Sequence, residues 1–151
     1  GYAKQMGDTT AVDYVLSTTG ARYGSKIYST QVDPNAPVGT TSPGFGNGAP
    51  YRWMLGDGST IAGLEQAVLG DEASGMPAML PGGVRRIIIP ANLAYQSLAN
   101  PSEVKCESGV GPVPPPSTAF EEFQRFKNIY CNPNRPYQPD VVMDIKLYGR
   151  R

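Results

Sequence analysis

At 151 residues the chain is long enough to bury a core, and 13 basic side chains balance 13 acidic ones, so its formal net charge is zero. Zero charge gives no general pull toward nucleic acid or anionic lipid, and the 15 Pro and 18 Gly predict turns and long loops rather than a helical bundle. There is no His, which removes His-based acid–base catalysis and His metal ligation; we expect neither a metal nor a cofactor.

Thr9–Thr18 alternates, with Val12, Tyr14 and Leu16 on one face and Asp13, Val15 and Ser17 on the other, and reads as a strand. Ser25–Thr30 is a second strand. Residues 31–50 are rich in Pro, Gly, Asn, Ser and Thr without periodicity and form a loop in which Phe45 is the natural anchor. Tyr51–Leu55 is a third strand. It leads into a short helix on which Ile61, Leu64, Val68 and Leu69 share one face, with Ser59 placed to cap its start and Gly70 to end it. A helix of about three turns is marginal alone in water. Strands must cover it.

Asp71–Gly83 is a bend, and Val84–Ile89 is a fourth strand stopped by Pro90, whose ring cannot donate to a ladder. Asn92–Tyr95 makes a turn of helix, and Gln96–Pro116 is a long loop. Ser117–Tyr130 is a second helix, with Thr118 and Glu121 forming a capping box. Asp140–Tyr148 is the last strand, alternating Val141, Met143, Ile145 and Leu147 against Val142, Asp144, Lys146 and Tyr148. The expected fold is α+β: a curved antiparallel sheet of five to six strands wrapped around a short central helix, with an extra helix before the last strand. We expect one domain over residues 1–151, in which 31–50 and 96–139 are loop and helix insertions.

No apolar run approaches the ~18 residues of a membrane span, so no membrane span is expected. The chain begins at Gly1 rather than Met, from which we expect a presequence outside it. Asp13 and Asp144 read as satisfied strand carboxylates, and Arg85 and Arg86 as solvated charges. The two cysteines, Cys106 and Cys131, either form a disulfide, which closes a loop of 24 intervening residues and contributes about 3 kcal/mol in the chain-entropy model, or are unrelated thiols. Phe120, Phe123 and Phe126 crowd the second helix. That ring face either packs on the sheet or docks a partner, and the long loops on either side of the helix lean toward a partner.

The ordered set Gly7-Asp8-Thr9, Val12-Asp13-Tyr14, Pro50-Tyr51-Arg52-Trp53-Met54-Leu55-Gly56, Ile61-Ala62-Gly63-Leu64-Glu65, Leu80-Pro81-Gly82-Gly83, Leu93-Ala94-Tyr95, Pro114-Pro115 and Val142-Met143-Asp144-Ile145 resembles the FK506-binding protein family of peptidyl-prolyl isomerases. The resemblance covers nearly the whole chain and implies a proline-binding pocket. In that pocket Tyr14, Ile61 and Tyr95 are the catalytic positions, the Ile61 backbone amide gripping the bound carbonyl. Ile27, Tyr28, Tyr51, Thr60, Leu64, Val113 and Met143 are its substrate-binding positions.

The departures from the family's pattern matter more. Ile27-Tyr28-Ser29-Thr30 stands where the family has Phe-Asp-Ser-Ser, so the pocket carboxylate is gone. Leu64 replaces the floor Trp, Met143 a wall Phe, and Gln96 the Gly after the tyrosine. Isomerase activity is therefore expected to be weak or lost. The late helix followed by Asn132–Arg135 resembles divergent forms of the plant and algal thylakoid lumen. That likeness implies an assembly factor or structural subunit bound to the lumenal side of a photosynthetic membrane complex; the alternative is a slow but active isomerase or folding chaperone that takes proline-containing peptides.

Overall fold

A computed structural model describes residues 3–19, 25–38, 40, 42–95, 111–115, 117–131 and 139–148. The described strands are β1 (Thr9–Thr18), β2 (Ser25–Ser29), β3 (Tyr51–Met54), β4 (Val84–Ile89) and β5 (Val141–Leu147); the helices are α1 (Ala62–Leu69) and α2 (Phe120–Tyr130). All strand pairs are antiparallel in one sheet ordered β2-β1-β5-β4. β3 shares an edge of β1 with β2: it pairs with Thr9–Val12, while β2 pairs with Val15–Thr18. A five-stranded sheet curving over α1 is the architecture expected from the residue pattern.

Period-two alternation sets the faces. Val141, Met143, Ile145 and Leu147 of β5 are buried, as are Val12, Tyr14 and Leu16 of β1, and they meet Leu64, Ala67 and Val68 of α1 in one core. Gly63 allows α1 to lie close to β4, since a Cβ there would fall 2.3 Å from Ile89 Cγ2. Gly70 ends α1 with φ at +85° and its N–H bonded to the Gln66 carbonyl. A left-handed conformation of this kind suits glycine.

Two caps differ from expectation. The N-cap position of α1 is Ile61, without a side-chain cap; Ser59 instead donates its hydroxyl to Asp57 Oδ1 at 2.6 Å, within the preceding turn. Asp57 also takes the Ser59 and Met54 N–H groups, so the local turn outcompetes the helix for this side chain. At α2 the N-cap position is Ala119, again without a side-chain cap. The Thr118 and Ala119 N–H groups are taken by the Pro115 carbonyl, so the Thr118–Glu121 capping box does not form.

The larger correction concerns α2. Phe123, Phe126 and Tyr130 are fully buried, and Phe120 alone of the three phenylalanines stays exposed, at 61%. The aromatic face packs inward, because at about 100° per residue Phe120 falls to the side of the stripe made by the other rings. The helix is therefore not the three-ring docking surface that the long flanking loops favoured.

The 31–50 loop is anchored through Phe45. Phe45 bridges to Ser29, the Lys26 ammonium lies 3.6 Å from its ring centre, and Glu122 of α2 accepts the Gly44 N–H at 3.0 Å. Asp13 accepts hydrogen bonds from the Thr30 and Tyr148 hydroxyls, and Asp144 pairs with Arg86. Arg85 is not a free charge: it donates to the Ala67 carbonyl near the end of α1, at 2.8 Å. Among the described residues no helix is long and apolar enough to cross a membrane, and no group of three or more metal-ligating side chains occurs. The Gly111–Pro112 peptide is cis.

Candidate functional site

Three layers separate the residues singled out in the sequence. The deepest holds Ile27, Leu64 and Met143, each fully buried in the core and none of them lining the cleft of the outer layer. The middle layer holds Ile61 and Tyr95, at 1% and 0% exposure. The outer layer holds Tyr14, Tyr28, Tyr51 and Val113, which line one open cleft of about 370 Å³ beside Pro50 and Pro115. Thr60 is buried and shares a 2.5 Å hydrogen bond with the Tyr51 hydroxyl.

The middle layer holds the two donors that the family resemblance assigns to a bound prolyl peptide. The Ile61 N–H donates to the Gly111 carbonyl at 2.9 Å, and the Gly111 N–H donates back to the Ser59 carbonyl at 2.8 Å. The two segments thus form a short parallel bridge, Thr60 to Gly111. The Tyr95 hydroxyl donates to the Pro112 carbonyl. Both groups that the family pattern assigns to a substrate are therefore engaged by residues 111 and 112 of the chain itself. Behind them, Phe126 stands edge-on to Tyr95 at 4.7 Å and Tyr130 lies at 5.1 Å, so α2 backs the Tyr95 ring.

Residue types alone did not point to this strap or to the α2 rings behind Tyr95. The run Gly111-Pro112-Val113-Pro114-Pro115 was visible, but a backbone carbonyl that occupies a donor leaves no mark in the side chains.

Around the cleft the rings touch in sequence. Tyr14 and Tyr28 lie 5.9 Å apart, Tyr14 meets Tyr51 edge-on at 6.3 Å, and Tyr51 stacks on Trp53 at 5.3 Å. Burial pushes the Tyr14 and Tyr95 hydroxyls well above the ordinary tyrosine range, and burial pushes Tyr130 up to about 12. A raised folded-state value means that the un-ionised form is favoured in the fold. The associated stability is complete below the ordinary value of 10.0 and is lost as pH rises through the folded-state values. Tyrosinate absorbance and near-ultraviolet circular dichroism should therefore change together above about pH 10; ionisation of all tyrosines with the dichroism unchanged would show that the fold does not hold these hydroxyls un-ionised.

Cys131, at the end of α2, is disulfide-bonded; Cys106, the other cysteine of the expected bridge, lies outside the described residues.

The described structure is thus a curved antiparallel sheet over one short helix, with a tyrosine-lined cleft. The family model of the FKBP-type peptidyl-prolyl cis-trans isomerases matches residues 2–122, and the chain belongs to that family. It is 29% identical over 132 residues to peptidyl-prolyl cis-trans isomerase FKBP13, chloroplastic, of Arabidopsis thaliana, covering 79% of this chain and 61% of that protein. Over 85 residues it is 36% identical to photosynthetic NDH subunit of lumenal location 4, chloroplastic, of the same plant, covering 56% of this chain and 36% of that one. FKBP17-1, chloroplastic, also an Arabidopsis peptidyl-prolyl cis-trans isomerase, is 29% identical over 112 residues, covering 70% and 40%. The chain thus spans less than two-thirds of the length of each of these relatives. The crystal structure of AtFKBP13 matches with a TM-score of 0.55 at 23% identity, covering 100% of this chain and 85% of that one, a likeness of fold.

Proposed function

We propose that this is an FKBP-family protein of the chloroplast thylakoid lumen whose isomerase centre is closed from within, and that it works by binding protein. Its role is that of an assembly factor or bound subunit on the lumenal side of a photosynthetic membrane complex. One observation carries the reading: the Ile61 N–H and the Tyr95 hydroxyl both donate to carbonyls of residues 111 and 112. Rotation about an X–Pro amide meets a barrier of about 18–20 kcal/mol, and catalysis requires interactions stronger in the twisted amide than in the planar one. Donors already engaged cannot supply that difference. Loss of the pocket carboxylate at Tyr28 and of the floor Trp at Leu64 supports the same conclusion.

The lumenal setting is supported by the relatives, all chloroplastic by name, one of them a lumenal NDH subunit. We take the chain as one domain over 1–151, with 31–50 and 96–139 as insertions. The alternative, a slow isomerase or folding chaperone, is favoured by the isomerase names of two relatives.

A prolyl-isomerisation assay on a short Ala-Pro peptide separates the two. The closed centre predicts relaxation at the uncatalysed rate of tens to hundreds of seconds, on the order given for free peptides. Acceleration that disappears in Tyr95→Phe would establish the alternative. Migration with a membrane complex on a native gel supports the binding role; a wholly free pool argues against it.

A further inference from the structure

The Tyr14 and Tyr28 side chains line the cleft beside the closed centre. Both side chains are more than nine-tenths buried, at 3% and 4% exposure. Among the described residues neither hydroxyl has a hydrogen-bond partner. The Trp53 Nε1 is the sealed side-chain polar atom left without a partner there; the two tyrosine oxygens are not sealed and reach solvent through the cleft that both residues line. Room for the second hydroxyl is built in, because a Cβ on Gly46 would fall 2.4 Å from it. In a cleft with one apolar flank, formed by Pro50, the Tyr51 ring, Val113 and Pro115, these are two donors held ready for an acceptor.

The charge around the cleft selects the kind of acceptor. Among the described residues no charged side chain lines it, so a carboxylate entering would meet no cation among them. Glu122 already lies close enough to Tyr28 to oppose its ionisation, burial being the larger cause, and a second negative charge beside it would be repelled. A neutral amide carbonyl meets neither obstacle. Asn47 spends its side-chain oxygen on the Ala49 N–H, which leaves its amide nitrogen as another donor on the rim.

We propose that this cleft binds an uncharged, extended segment of a partner protein, an amide carbonyl of which accepts hydrogen bonds from Tyr14 and Tyr28, and that proline is not required. The proposal rests on the reading that the centre beneath is closed. With Ile61 and Tyr95 engaged, a prolyl ring gains nothing there that another residue lacks. The cleft is of the size usual for small-ligand sites, room for a few residues of such a segment.

The test is a nitrogen-15 NMR titration of the whole chain with three blocked tripeptides, Ala-Asn-Ala, Ala-Pro-Ala and Ala-Glu-Ala. The first two should shift the amides of Tyr14, Tyr28 and Tyr51 with similar midpoints, and the third should bind more weakly. The double variant Tyr14→Phe/Tyr28→Phe keeps both rings and should weaken binding about tenfold, the equivalent of one or two neutral hydrogen bonds. Its thermal midpoint should match the parent, because neither hydroxyl has a partner to lose. Gly46→Ala, which crowds the Tyr28 hydroxyl, should weaken binding in the same direction. No shift with any peptide, or unchanged binding in the double variant, overturns the proposal and leaves the closed centre standing. Binding of the proline peptide alone, with a shift at the Ile61 amide, overturns both.

Discussion

Phe126→Ala is expected to cost the fold about 3–5 kcal/mol, the range for truncating a fully buried phenylalanine. Phe126 has no exposed surface, stands edge-on to Tyr95 at 4.7 Å, and lies 5.2 Å from Tyr130. Aromatic contacts of this geometry add about 0.5–1.5 kcal/mol beyond the buried area. Phe120→Ala, six positions earlier and 61% exposed, should fall within about 0.5 kcal/mol of the parent. Urea denaturation of the two variants measures the contrast. If α2 were a docking surface, Phe126→Ala would leave the midpoint almost unchanged. A large loss for Phe126 alone places α2 in the core.

The second large effect lies at the contact between α1 and β4. Gly63→Ala puts a Cβ 2.3 Å from Ile89 Cγ2 and 3.0 Å from its Cγ1, and Ile89 is itself buried. Overpacking of this kind costs about 1–3 kcal/mol, more than helix propensity returns by replacing glycine with alanine, which is about 1 kcal/mol. Ile89→Ala removes both methyl-bearing arms. The double variant should therefore lose less than the sum of the two single losses, by about 0.5 kcal/mol or more. Additive losses in a denaturation cycle would mean that α1 does not press on β4 at this point.

Much of the fold was legible because period and punctuation are local. The alternation in Thr9–Thr18 and in Val141–Leu147, and the stop at Pro90, mark β1, β5 and the end of β4 without knowledge of neighbours. The caps were less so. Ser59 and Thr118 precede helices, but the turn residues Asp57 and Pro115 compete for the same groups and win. An amphipathic stripe says that α2 must be covered, not what covers it, and the partner reading failed on that ambiguity. The candidate site was half legible. Side-chain types identified Tyr14, Tyr28, Tyr51 and Val113, which do share a cleft. They did not reveal that the strap 111–112 would take the donors beneath, since its main-chain hydrogen bonds depend on distance in space rather than on residue type.

Amide hydrogen exchange at Ile61 tests the closed centre most directly. A donor bonded to the Gly111 carbonyl at 2.9 Å should exchange slowly in the free protein, alongside the core of α1, and should stay unshifted when a proline peptide is added. An Ile61 amide that exchanges as fast as an open loop, or that shifts on adding the peptide, would mean that the centre is open and that the chain keeps its family's catalytic geometry.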